Sequence, residues 1–152
     1  MTYYSISGLI NFVTSLVLGS YLFFANRSST VRTFGLWCLS VAGWSFGYYF
    51  WQVSHSPHQA LLWTKCLMFF AILIPVLILH FTLRFLDLYK QKKKLLFGYY
   101  AVSLVYLFAD MATSTFISTV KPALFFPYWP KPGVLFHPYL AMFLSSVAYS
   151  HY

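Results

Sequence analysis

Cys66 to Leu83 reads CLMFFAILIPVLILHFTL, with Lys65 before it, Arg84 after it and no charged side chain between. At 1.5 Å rise per residue, roughly 20 such residues cross a hydrocarbon core of about 30 Å, so the run holds a membrane-spanning helix. Two further uncharged stretches run from Thr2 to Asn26 and from Thr33 to Thr64. Each has room for one span, which makes the chain an integral membrane protein.

Composition points the same way. Of 152 residues, 60% are hydrophobic, 23% aromatic and 8% charged, against roughly 25% charged in an average soluble domain. A net charge of +8 would suggest nucleic acid in a soluble protein. Here the bases flank apolar runs instead of covering one face, so membrane topology explains them and no nucleic-acid partner is expected. Glutamate is absent and Asp87 and Asp110 are the only acids, which nearly excludes catalysis by paired carboxylates. Cys38 and Cys66 fall inside predicted spans, where a thiol behaves as a small hydrophobe. The N-terminus lacks the basic region and cleavage site of a signal peptide and reads as a retained first span.

The predicted fold is all-α, a polytopic bundle in a single transmembrane domain. Four complete spans lie at about 4–25, 31–53, 60–86 and 95–119, and a fifth at 137–152 is incomplete, so the chain reads as cut short. Asn26 to Thr30 supply a turn and hydroxyl caps for the second helix, and Pro57 suits the first turn of the third. Pro75, in mid-span, removes a backbone donor and predicts a kink.

Loop charge orients the bundle. Arg27 and Arg32 in the first loop join Arg84, Lys90, Lys92, Lys93 and Lys94 in the third, against Lys65, Lys121 and Lys131 on the opposite side. The richer side is cytoplasmic by the positive-inside rule, which puts the N-terminus outside. The glycosylation pattern Asn26-Arg27-Ser28 then faces the cytoplasm and is discounted. The lysine cluster reads as a topology determinant, with contact to anionic head groups as the alternative.

Several constellations could carry function. Trp37, Trp44 and Trp51 recur every seven residues, each followed three residues on by Ser40, Gly47 and Ser54 in turn, and Gly43 with Gly47 forms G-x-x-x-G. This face reads as a packing seam, or else as an aromatic-lined ligand cleft. His80 and Asp110 are ionisable groups inside predicted spans; each needs a buried partner or a function, and a hydroxyl is the expected donor to Asp110. His55 and His58 lack accompanying ligands, so no metal site is predicted. Phe125 to Gly133, containing Trp129, Pro132 and Gly133, reads as a structured outer cap, either an interfacial anchor or a lid over a ligand cavity. His137, where the fifth run begins, joins Trp44, Trp51, His80 and Asp110 as a candidate sensing residue.

Phe34 to Tyr48 (FGLWCLSVAGWSFGY), Ala71 to Pro75 with Leu79-His80-Phe81, and Pro132 to His137 (PGVLFH) stand in an order that resembles the N-terminal seven-transmembrane region of bacterial sensor histidine kinases. The resemblance implies a sensory input module in two-component signal transduction, with the N-terminus outside. It would feed a cytoplasmic PAS, histidine kinase or similar output domain. The chain departs from that pattern by ending in its fifth span, without a phospho-accepting histidine or a nucleotide-binding box, so it is not expected to be an enzyme itself. No cofactor is expected. The bilayer of a bacterial inner (plasma) membrane and the output domain are the expected partners, and a homodimer is left open. The rival reading is a fragment of a small-solute or proton-coupled transporter, using Pro75, His80 and Asp110.

Overall fold

The computed structural model describes residues 3–25 and 28–151, His151 by its backbone alone. Five helices and one hairpin make up these residues: α1 (Tyr3–Ala25), α2 (Ser29–Gln52), α3 (Pro57–Phe85), α4 (Tyr89–Ala112), β1 (Ile117–Ala123), β2 (Phe126–Pro132) and α5 (Phe136–His151). Asn26 and Arg27, which carry the glycosylation pattern and one orienting charge, lie outside the described residues.

Local chemistry sets the ends of α3. The Ser56 hydroxyl accepts from the Gln59 amide at 3.2 Å, Pro57 takes the first turn, and the Gln59 side chain accepts from the His55 amide at 3.1 Å. At the other end Asp87 takes a left-handed conformation (φ 57°), and the Leu88 amide reaches back to the Leu83 carbonyl at 2.8 Å, closing the last turn. α2 starts two residues earlier than expected. Ser28 is extended, but its side chain makes no capping bond, so the hydroxyl cap expected there is not formed.

α3 is the hub, packing against α2, α4, α5 and both strands, while α1 lies along α2. Small residues allow the close approaches. A β-carbon at Gly47 would stand 2.7 Å from that of Leu67 on α3, and one at Gly19 would stand 3.0 Å from the Gly35 carbonyl oxygen on α2. Asn11 Nδ2 donates to Ser45 Oγ at 2.6 Å across the α1–α2 contact. The seam on α2 is therefore made by small side chains more than by indoles. Trp51 is buried, whereas Trp37 and Trp44 are only half-buried.

Two expectations are corrected. The fourth helix was expected to reach Thr119, but it stops at Ala112, because the Thr113 hydroxyl bonds back to the Ala109 carbonyl at 2.6 Å and accepts from the Thr115 amide at 3.1 Å. Clustered hydroxyls thus offer the backbone partners outside the helix. The same helix begins at Tyr89, so its first turn carries the lysines. The segment read as a structured cap is an antiparallel hairpin pairing Ile117 with Pro132, Val120 with Pro130 and Ala123 with Phe126. In a two-stranded ribbon both strands are edges, so prolines can sit where a missing N–H would face away from the partner strand.

α1, α3 and α4 are long and apolar enough to cross a membrane, which supports a membrane protein. α2 matches them in length, at 24 residues, but its serines, glycines, tyrosines and tryptophans make it less apolar. α5 has 16 residues. Two ends can be distinguished. The hairpin end gathers the starts of α1, α3 and α5 with the ends of α2 and α4, and the lysine end lies opposite, where α3 passes into α4.

Candidate functional site

At the hairpin end, ring packing and long-range hydrogen bonds seat the hairpin on the helices. Trp51 Nε1 donates to the Tyr128 carbonyl at 2.7 Å, and the Tyr128 hydroxyl donates to the His55 carbonyl at 3.1 Å. The Trp51 ring stacks on Phe126 at 5.7 Å and meets Trp129 edge-on at 5.7 Å. At the hairpin base, the Gly133 amide bonds to the Phe116 carbonyl at 2.8 Å, and a β-carbon on Gly133 would collide with the Thr115 carbonyl. Only glycine lets the strand pass so close.

Beneath the hairpin is a cavity of about 400 Å³, within the range of small-molecule sites. Trp44, Tyr48 and Trp51 of α2 form one wall, Met68 of α3 another, and Trp129 and Pro132 the roof. Ile117 and Phe136 complete it. Four residues singled out in the sequence (Trp44, Trp51, Trp129 and Pro132) therefore converge here. A second cavity of about 170 Å³ lies against Trp51 on the side of Tyr4 and Phe125, and it is lined by Gln52, whose Nε2 is buried without a hydrogen-bond partner among the described residues.

Pro75 is fully buried and α3 runs through it. Having no N–H, it frees the carbonyl four residues earlier, at Ala71. The Tyr139 hydroxyl of α5 donates to that carbonyl at 2.9 Å. Tyr139 is itself buried, in a cluster with Ile72, Tyr106, Phe116 and Ile117 that joins α3, α4 and α5 to the hairpin base.

At the lysine end His80 joins a polar knot. Arg84 Nε donates to His80 Nε2 at 2.8 Å, and His80 Nδ1 lies 2.9 Å from the Tyr100 hydroxyl. A guanidinium can only donate, so Nε2 is the acceptor and a neutral ring carries its proton on Nδ1, facing Tyr100. A second Arg84 nitrogen donates to Ser29 Oγ at 2.8 Å, and the guanidinium lies 4.3 Å from the Tyr89 ring centre. The knot thereby ties α3 to α2 and α4.

Asp110 is fully buried in the last turn of α4, and neither carboxylate oxygen has a hydrogen-bond partner among the described residues. The hydroxyl donor expected for it is absent there. Lys65 turns elsewhere, donating to the Thr113 carbonyl at 2.8 Å. His137 sits outside the aromatic cavity, beside Ser114, Thr115 and Ser118. Both cysteines are free thiols, with Cys38 buried.

Sequence reasoning missed Tyr48, Tyr100 and Tyr139. A signal existed for the last, since a proline inside a span obliges some donor to meet the freed carbonyl.

No curated protein and no solved structure matches the chain. Residues 8–152 match the family described as the N-terminal 7TM region of histidine kinase. That match spans nearly the whole bundle, including the hairpin, the Pro75 helix and α5, and the chain belongs to this family of histidine kinase N-terminal regions.

Proposed function

We propose that this chain is the sensory input module of a bacterial plasma-membrane histidine kinase. Its first four helices span the bilayer and α5 enters it, its N-terminus and hairpin face outward, and its lysine end meets a cytoplasmic output domain. The charge asymmetry between the two ends supports this orientation. A stimulus at the hairpin end would shift α5 and the hairpin against α3, biasing a helix arrangement with two states. The roles of Trp44, Trp51, His80, Asp110 and His137 in sensing belong to this reading. Nothing in the family match favours the transporter alternative.

The observation that carries the proposal is the Tyr139 bond to the Ala71 carbonyl. It fastens the cluster beneath the hairpin to the carbonyl that Pro75 leaves without its helical hydrogen bond. Nine residues further along the same helix, His80 anchors the knot at the opposite end. Movement at one end therefore has a packed route to the other.

Tyr139→Phe tests this in the full-length kinase, because it keeps the ring and removes one hydrogen bond. A net loss of about 1 kcal/mol moves a two-state equilibrium about fivefold. Basal autophosphorylation should shift by about that factor, at unchanged membrane abundance. Unchanged autophosphorylation would show that the bond has no part in signalling.

A further inference from the structure

The cavity beneath the hairpin has walls that specify a ligand chemistry. Trp44, Tyr48, Trp51, Trp129 and Phe136 surround it with rings, and no lining residue carries a formal charge. A charged ligand would lose its hydration there without a counter-ion. Aromatic walls favour a flat ring that can stack or meet them edge-on.

The polar atoms of these side chains narrow the class. Trp51 Nε1 is already committed to the Tyr128 carbonyl. The indole N–H groups of Trp44 and Trp129 and the hydroxyl of Tyr48 make no hydrogen bond among the described residues. Indole nitrogens donate only, so the surplus is of donors, and a complementary ligand brings acceptors. An acyl chain from the bilayer would fill the volume but offer these donors no acceptor.

We propose that this cavity binds an uncharged, flat ring compound bearing carbonyl oxygen, held between the tryptophans and by donors from Trp44, Trp129 and Tyr48. The site lies between the hairpin and α3, one helical turn from Ala71, since Met68 lines it and Tyr139 bonds Ala71. The assignment rests on the sensory reading for its consequence, but ligand binding stands or falls separately.

The test uses the chain in phosphatidylcholine nanodiscs with two probes of nearly equal shape. Duroquinone carries two ring carbonyls and durene is its hydrocarbon counterpart. Quenching of tryptophan fluorescence and equilibrium dialysis should show saturable duroquinone binding, with durene at least tenfold weaker. Tyr48→Phe should weaken duroquinone severalfold and leave durene unchanged, and Trp129→Leu, at a partly exposed roof residue, should remove saturable binding of both. Equal binding of the two probes, or uptake that is non-saturable and indifferent to Trp129→Leu, overturns the proposal and leaves lipid chains as the occupant. In the full-length kinase, binding without any change in autophosphorylation would leave the site standing and count against the sensory reading. A normal signalling response in a protein that binds neither probe would do the reverse.

Discussion

The two ends of α3 are held by different chemistry. At the hairpin end, side-chain donors reach backbone carbonyls far away in sequence: Trp51 bonds Tyr128, Tyr128 bonds His55 and Tyr139 bonds Ala71. At the lysine end, Arg84, His80, Tyr100 and Ser29 bond one another through side chains. The first set depends on shape, because rings must be seated before their polar edges can reach a carbonyl. The second depends on protonation, because a proton on His80 Nε2 would replace an acceptor with a donor facing a guanidinium. On the proposed reading, one end responds to an occupant and the other reports a displacement through a few charge-assisted bonds.

Substitutions can break or sharpen this contrast. The largest effect is expected between the ends, where α2 meets α3. Gly47→Leu would drive its side chain into Leu67 and cost about 3 kcal/mol or more, read as lost thermal stability in detergent. Gly98→Ala is its control, because nothing stands within 4 Å of that position, and it should be neutral or stabilising.

Arg84→Ala comes next. It leaves His80 and Ser29 without their donor and should cost about 1–2 kcal/mol, with Arg84→Lys recovering only part, since one ammonium cannot reproduce the fork. Trp51→Phe keeps a ring but loses the bond to Tyr128, so about 1 kcal/mol is expected, with hydrogen exchange rising most in the hairpin and by a smaller factor near His80. Unchanged protection near His80 would mean that the two ends are separate systems.

The smallest effect is at the hairpin tip. Leu124 is exposed and held at φ 55°, a conformation that glycine adopts more easily, so Leu124→Gly should stabilise the hairpin by about 0.5 kcal/mol.

How much of this was legible in the sequence follows from the range of each interaction. α3 was readable to within three residues at its start, expected at 60 and found at Pro57, and one at its end, because Ser56, Pro57 and the run from Cys66 to Leu83 act locally. The end of α4 was not, since apolarity continues past Ala112 while three clustered hydroxyl residues stop the helix. The hairpin was hidden by Pro122, Pro127, Pro130 and Pro132, which argue against a central strand and say little about a ribbon with two edges. Trp44, Trp51, Trp129 and Pro132 stood out by residue type, but their meeting in one cavity depends on pairings across more than 70 residues. His80 was recognisable as a group needing partners, whereas Tyr100 as its neighbour required the fold.

The central claim is that α3 carries a change from the Tyr139 bond to the Arg84 knot. Thirteen residues of helix separate Ala71 from Arg84, roughly 20 Å at 1.5 Å per residue, a distance at which independent sites add within about 0.5 kcal/mol. The direct measurement is a double-mutant cycle on autophosphorylation of the full-length kinase with Tyr139→Phe and Arg84→Lys. A coupling energy above about 1 kcal/mol is predicted, and strict additivity within about 0.5 kcal/mol would contradict the account.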